Sequence, residues 1–144
     1  MPFFLVDFYI FCVSSCSHFM AKKKNTKYDQ NLIEALKQLP SSIEDKRHGF
    51  VIEIKDDRAR SNETRFEHIA KKNHELKVRD IKSIPEGIKD YVKFVKSSEI
   101  ENTRYYFIKR KGEDRGFIQV AILLDETNPK RARIKTVFIA HRLK

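Results

Sequence analysis

A chain of 144 residues with 40% apolar side chains is sized for one domain that buries its own core without disulfide staples. Its net charge of +10 points to an anionic partner, most simply a nucleic acid. Both cysteines, Cys12 and Cys16, precede the domain, which excludes a disulfide or a thiolate metal site within it and fits a reducing, cytoplasmic compartment.

The stretch MPFFLVDFYIFCVSSCSHF is strongly apolar, and the composition then switches to MAKKKNTKYDQ. As a signal peptide it lacks Lys or Arg before the apolar run, and Asp7 interrupts it; as a membrane span it is short. A third reading makes Met20 the natural start. Three segments are therefore expected: an apolar stretch at 1–21, a helical arm at 22–49 and the main domain at 50–144. No membrane contact is expected unless residues 1–20 are native.

From Asp29 to Leu39 the spacing of Leu32, Ile33, Leu36 and Leu39 predicts a helix that Pro40 ends. Phe50–Ile54 reads as a short strand and 55–62 as a polar loop. Thr64 and Glu67 form a capping box that opens a helix over FEHIAKKNHEL, with Phe66, Ile69, Ala70 and Asn73 on its inner stripe. Residues 77–83 are ambiguous, and over Ile84–Val95 a turn at Pro85–Gly87 followed by a short helix or strand is expected. Thr103–Arg110 and Gly116–Leu124 flank a Gly112-containing turn and form a hairpin, and Ala132–Ala140 is a further strand. Helices followed by tightly connected strands predict an α+β fold with N-terminal helices on an antiparallel sheet.

Residues 63–144 hold 20 Lys and Arg against 12 Asp and Glu, a net of +8, whereas residues 1–62 hold 10 against 8, a net of +2. In that basic half no HExxH, glycine-rich phosphate loop or GxSxG elbow occurs, so kinase, serine-hydrolase and zinc-peptidase chemistry has no support. No metal or other cofactor is expected. The polar groups that remain are His, Lys, Arg, Tyr and Thr, a set suited to metal-free RNA cleavage. One group removes the ribose 2′-OH proton, a cation stabilises the phosphorane, and an acid protonates the leaving oxygen. His68 and His74 stand 120° apart on an ideal helix, and His68 projects away from the apolar stripe. Incidental histidines on a solvated face are the plainer reading. On the last strand, alternation places Arg131, Arg133 and Lys135 on one face and Ile134, Thr136 and Phe138 on the other. On the hairpin Arg104, Tyr106 and Arg110 alternate with Tyr105, Phe107 and Lys109; a tyrosine there either stacks on a base or fills the core.

The order of a helix with an HI…H pattern, a proline-containing connector, a tyrosine-bearing hairpin and a final strand centred on K-T-x-F resembles the phage-associated branch of the barnase–EndoU–colicin–RelE nuclease superfamily. The resemblance spans roughly Phe50 to Leu143. It implies helices ahead of a four-stranded antiparallel sheet, and a metal-independent ribonuclease carried as a toxin or phage effector. Carried over by position, the helix histidine falls on His68 with His74 as a second, the basic or aromatic strand position on Arg104 or Tyr106, and the terminal-strand threonine on Thr136. The expected catalytic set is His68, His74, Thr136 and Arg104, and the expected RNA contacts are Tyr106, Lys109, Arg133 and Lys135. Expected partners are RNA, a protein inhibitor or phage proteins. The competing expectations are a non-catalytic nucleic-acid-binding module and a phage structural or packaging protein.

Overall fold

The computed structural model describes residues 27–71, 75–113 and 115–143. The elements in chain order are α1 (Gln30–Lys37), β1 (Ser42–Asp45), β2 (Phe50–Glu53), β3 (Arg58–Arg60), β4 (Glu63–Thr64), α2 (Arg65–Ile69), α3 (Val78–Lys82), α4 (Ile84–Lys89), β5 (Lys93–Lys96), β6 (Thr103–Lys109), β7 (Phe117–Leu124) and β8 (Arg131–Ala140). The fold is α+β. A curled six-stranded sheet has the order β1-β2-β8-β7-β6-β5, and a two-stranded ribbon, β3-β4, leads into α2.

Sequence expectation and fold agree where periodicity is strong. Asp29 caps α1 through its side chain, accepting from the backbone N–H groups of Asn31 and Leu32. The Thr64–Glu67 capping box forms in both directions, at 3.3 Å and 3.0 Å. The sheet is larger than the four antiparallel strands expected. β5–β8 make a four-stranded antiparallel meander, and the β1–β2 hairpin adds two more strands through a parallel β2–β8 pairing. β1 and β3–β4 were not anticipated because two to four residues carry too little alternation to register. α4 replaces the turn expected at Pro85–Gly87: proline is accepted in a first helical turn, where its missing N–H is not needed. α2 ends at Ile69, short of the helix expected to reach Leu76.

The core lies on the concave face of the sheet. Alternate residues Ile118, Val120, Ile122 and Leu124 of β7 meet Leu32 and Leu36 of α1, Phe66 and Ile69 of α2, Ile81 of α3 and Ile84 and Ile88 of α4. Gly87 lets α4 approach β6 closely: a Cβ there would stand 2.4 Å from Ile108 Cγ2. One irregularity reorders β8. Ala121 pairs with Thr136 but Ile122 pairs with Ile134, so Lys135 is an extra residue that reverses the alternation. Ala132 and Ile134 before it, and Val137 and Ile139 after it, face the core. Thr136 and Phe138 therefore lie on the outer face, contrary to the uninterrupted alternation that grouped them with Ile134.

Candidate functional site

The capping box that starts α2 also builds a carboxylate–imidazole pair. With Thr64 as N-cap, Glu63 is the residue just before the cap and His68 the fourth helical residue, two positions that meet across the first turn. These positions usually carry an apolar pair; here Glu63 Oε1 stands 3.1 Å from His68 Nδ1. Glu63 is only 5% exposed, and its other oxygen accepts from the Tyr28 hydroxyl at 2.9 Å and lies 3.3 Å from Lys71 Nζ. Burial pushes its carboxyl toward protonation, yet hydrogen bonds from Tyr28, His68 and Lys71, with the charge of Lys71, outweigh that and hold it below the usual carboxylate range. Burial and the adjacent Glu63 raise the Tyr28 phenol, which stays a proton-bearing donor.

The same helix is fastened to the basic strand. Arg65 Nε donates to Asp57 Oδ1 at 2.9 Å, and Arg65 Nη1 donates to the Lys135 carbonyl at 3.0 Å, at the bulge. Asp57 Oδ2 in turn accepts from Arg133 at 3.0 Å. Arg131 pairs with Glu53. The cationic row on β8 is thus partly neutralised by carboxylates of β2 and the loop that follows it, and Lys135 is half-buried.

A second histidine site was missed by sequence reasoning. Asp45, 2% exposed, closes the β1–β2 turn by accepting from the backbone N–H groups of Arg47 at 3.0 Å and His48 at 3.3 Å. Its Oδ2 meets His48 Nδ1 at 2.8 Å and accepts from the Tyr106 hydroxyl. The His48 ring stacks on Phe94, with centroids 4.0 Å apart, and lies 5.9 Å from Phe50. Burial opposes ionisation of Asp45, but the bonds from Tyr106 and His48 prevail and lower its pKa. The available signal was the turn DKRHG: an aspartate whose side chain can bond the backbone two and three residues on, closed by Gly49 at φ +76°. Phe50, Tyr91 and Phe94 then bring the two ends of the curled sheet together around His48.

The expected site residues do not gather in one place. Tyr106 is fully buried, and its phenol, raised by burial and then by Asp45, is a core hydroxyl rather than a base-stacking group. Arg104 shares the concave face with Tyr106 and is half-buried, with Nη1 donating to the Thr103 carbonyl at 3.2 Å. Thr136 lies on the opposite face, two strands away, in the row Tyr105–Ala121–Thr136. Lys109 is exposed at the end of β6. His74 lies outside the described residues. A cavity of about 590 Å³ is lined by Glu53, Glu101, Asp125 and Glu126 beside Arg131 and Arg133, and no histidine lines it. Four carboxylates make it a poor phosphate site.

Among the described residues no three His, Cys, Asp or Glu side chains gather to hold a metal ion, and no helix is long and apolar enough to cross a membrane. Comparison of the chain with protein-family models, with curated proteins and with solved structures finds no match.

Proposed function

We propose that this chain is a metal-independent endoribonuclease-like domain in which His68 is the acid–base group and Glu63 its positioning residue. The observation that carries the reading is the Glu63–His68 pair on a helix bonded to the backbone of the basic strand β8. With Nδ1 held on a buried carboxylate, the ring is fixed in orientation, and a proton exchanged with substrate passes through Nε2. His68 would take the 2′-OH proton and the 2′-oxygen would attack phosphorus. The bond to the 5′-oxygen then breaks, and that oxygen takes a proton from a second acid. The products are a 2′,3′-cyclic phosphate and a free 5′-OH. Helices that precede an antiparallel meander in the chain support the likeness to the barnase–EndoU–colicin–RelE superfamily, with a phage-carried toxin or effector as the corresponding biological setting.

The placement of Arg104 and Thr136 on opposite faces favours a second reading, a nucleic-acid-binding module without catalysis. One experiment separates the two. Purified protein is incubated with total RNA in EDTA, alongside His68→Ala and a salt titration of RNA binding. Cleavage to cyclic-phosphate ends that His68→Ala abolishes supports the nuclease. Binding that weakens with salt, with intact RNA, supports the module. RNA that is neither bound nor cut removes both.

A further inference from the structure

β1 is an edge strand of the six-stranded sheet, and half of its backbone polar groups face away from β2. Two bonds fix which half. The Ile54 N–H donates to the Ser41 carbonyl at 2.9 Å, so Ser41–Ile54 is a bonded rung of the antiparallel ladder, and Ile43–Ile52 and Asp45–Phe50 are the next bonded rungs. The Val51 N–H donates instead to the Lys130 carbonyl at 2.8 Å, away from β1, so Glu44–Val51 is an unbonded rung. The N–H and C=O groups of Ser42 and Glu44 therefore point out of the open edge, and among the described residues no hydrogen bond reaches them. They border a cleft of about 520 Å³ between β1 and Pro85 and Lys89 of α4. Ser42, Glu44 and Lys89 are all exposed, so both walls are accessible.

We propose that this cleft receives an extended, acidic polypeptide segment of another protein, which adds to the sheet as a strand beside β1. An added strand satisfies both kinds of backbone group at once, because it presents N–H donors and C=O acceptors in alternation. The charge around the cleft sets the composition of that strand. Lys46, Arg47 and Lys89 line it and are exposed. Of its two carboxylates, Asp45 is taken up by His48, Tyr106 and the turn N–H groups, which leaves only Glu44 facing solvent. Glutamate or aspartate side chains on the incoming strand meet three cations against one anion. A nucleic acid fits less well: phosphate oxygens accept hydrogen bonds but have none to donate to the Ser42 and Glu44 carbonyls, and Glu44 repels them. A second copy of the chain brings the same cations and a net charge of +10 to the same place. The cleft shares no lining residue with the Glu63–His68 pair, so the proposal stands apart from the nuclease reading.

The probe is a synthetic hexapeptide of alternating valine and glutamate with blocked ends, titrated into the isotope-labelled full chain and followed by NMR. The Ser42 and Glu44 amides are expected to shift and to exchange more slowly with solvent as the peptide binds. Affinity is expected to fall at least about tenfold when alternate peptide amides are N-methylated, when lysine replaces the glutamates, or in Lys46→Glu with Lys89→Glu. The N-methylated peptide leaves the protein untouched, so its loss of binding does not depend on how any variant folds. Ser42→Pro, which removes one outward N–H without breaking a bonded rung, is expected to weaken binding as well. No shift at millimolar peptide, or equal binding of the N-methylated or lysine peptide, would overturn the proposal. Protection of the two amides by single-stranded RNA and not by the peptide would assign the cleft to nucleic acid and overturn it too. Protection that grows with protein concentration alone would assign the edge to a second copy, with the same consequence.

Discussion

Glu63 and His68 meet at 3.1 Å across the first turn of α2, a carboxylate and an imidazole in the two positions where a capping box usually brings apolar side chains together. The buried carboxylate serves His68, Tyr28 and Lys71 at once, so its removal strands three groups rather than one. Glu63→Ala is expected to destabilise the protein by about 3 kcal/mol in urea unfolding, the scale for breaking a buried charged pair. In a double-mutant cycle with His68→Ala the two losses should fall short of additivity by at least about 0.5 kcal/mol. Strict additivity would show that the pair does not interact.

Two buried carboxylates with lowered pKa values, Glu63 and Asp45, make stability depend on acid. Each binds its proton less readily folded than unfolded, so between the folded pKa and the ordinary carboxylate value of about 4 the unfolded state holds more protons. Their contribution is complete above the unfolded value and is lost as pH falls through the folded one. Thermal melts should therefore show a loss of Tm below about pH 4 that is shallower in Asp45→Asn and Glu63→Gln. Melts of the variants that run parallel to the parent would contradict this.

Asp80 and Arg110 form a doubly bonded ion pair at 3.1 Å and 2.8 Å, and both are buried. The Asp80 bond raises the guanidinium's affinity for its proton, against the opposing effect of burial. Asp80 also accepts from the Lys77 N–H at 2.9 Å and so caps α3. Asp80→Ala leaves a buried cation without its partner and is expected to cost about 3–5 kcal/mol by chemical denaturation. Adding Arg110→Met should restore a part of that loss. A milder Asp80→Ala effect, under about 1 kcal/mol, would mean that water reaches the guanidinium.

Gly87→Ala should destabilise by about 1–3 kcal/mol, because the new Cβ meets Ile108 Cγ2 at 2.4 Å and Cδ1 at 2.8 Å. Ile108→Ala removes both atoms, so the double variant should be less destabilised than the sum of the single ones. Calorimetric melts of the four proteins decide this; an unchanged Tm for Gly87→Ala would place α4 farther from β6.

Local chemistry was enough to read α1 from its leucine spacing and Asp29 cap, the Thr64–Glu67 box, the β6–β7 hairpin and the α+β class, because each depends on residues close in the chain. The Glu63–His68 contact went unread, although the capping box places both positions. Three further features could not be read locally. The extra residue at Lys135 turned Thr136 to the outer face, and a bulge depends on how two strands pair rather than on either strand alone. The curl of the sheet carried Asp45 from one edge strand to Tyr106, sixty-one residues away, and so made a core hydroxyl of the tyrosine expected to stack on a base. The parallel joining of β2 to β8 placed Asp57 and Arg65 against the cationic row and neutralised Arg133. Residue types and local spacing specify which side chains can do chemistry. Only the long-range pairing of strands decides which of them share a face, because a single residue's slip in register exchanges the two sides of a sheet.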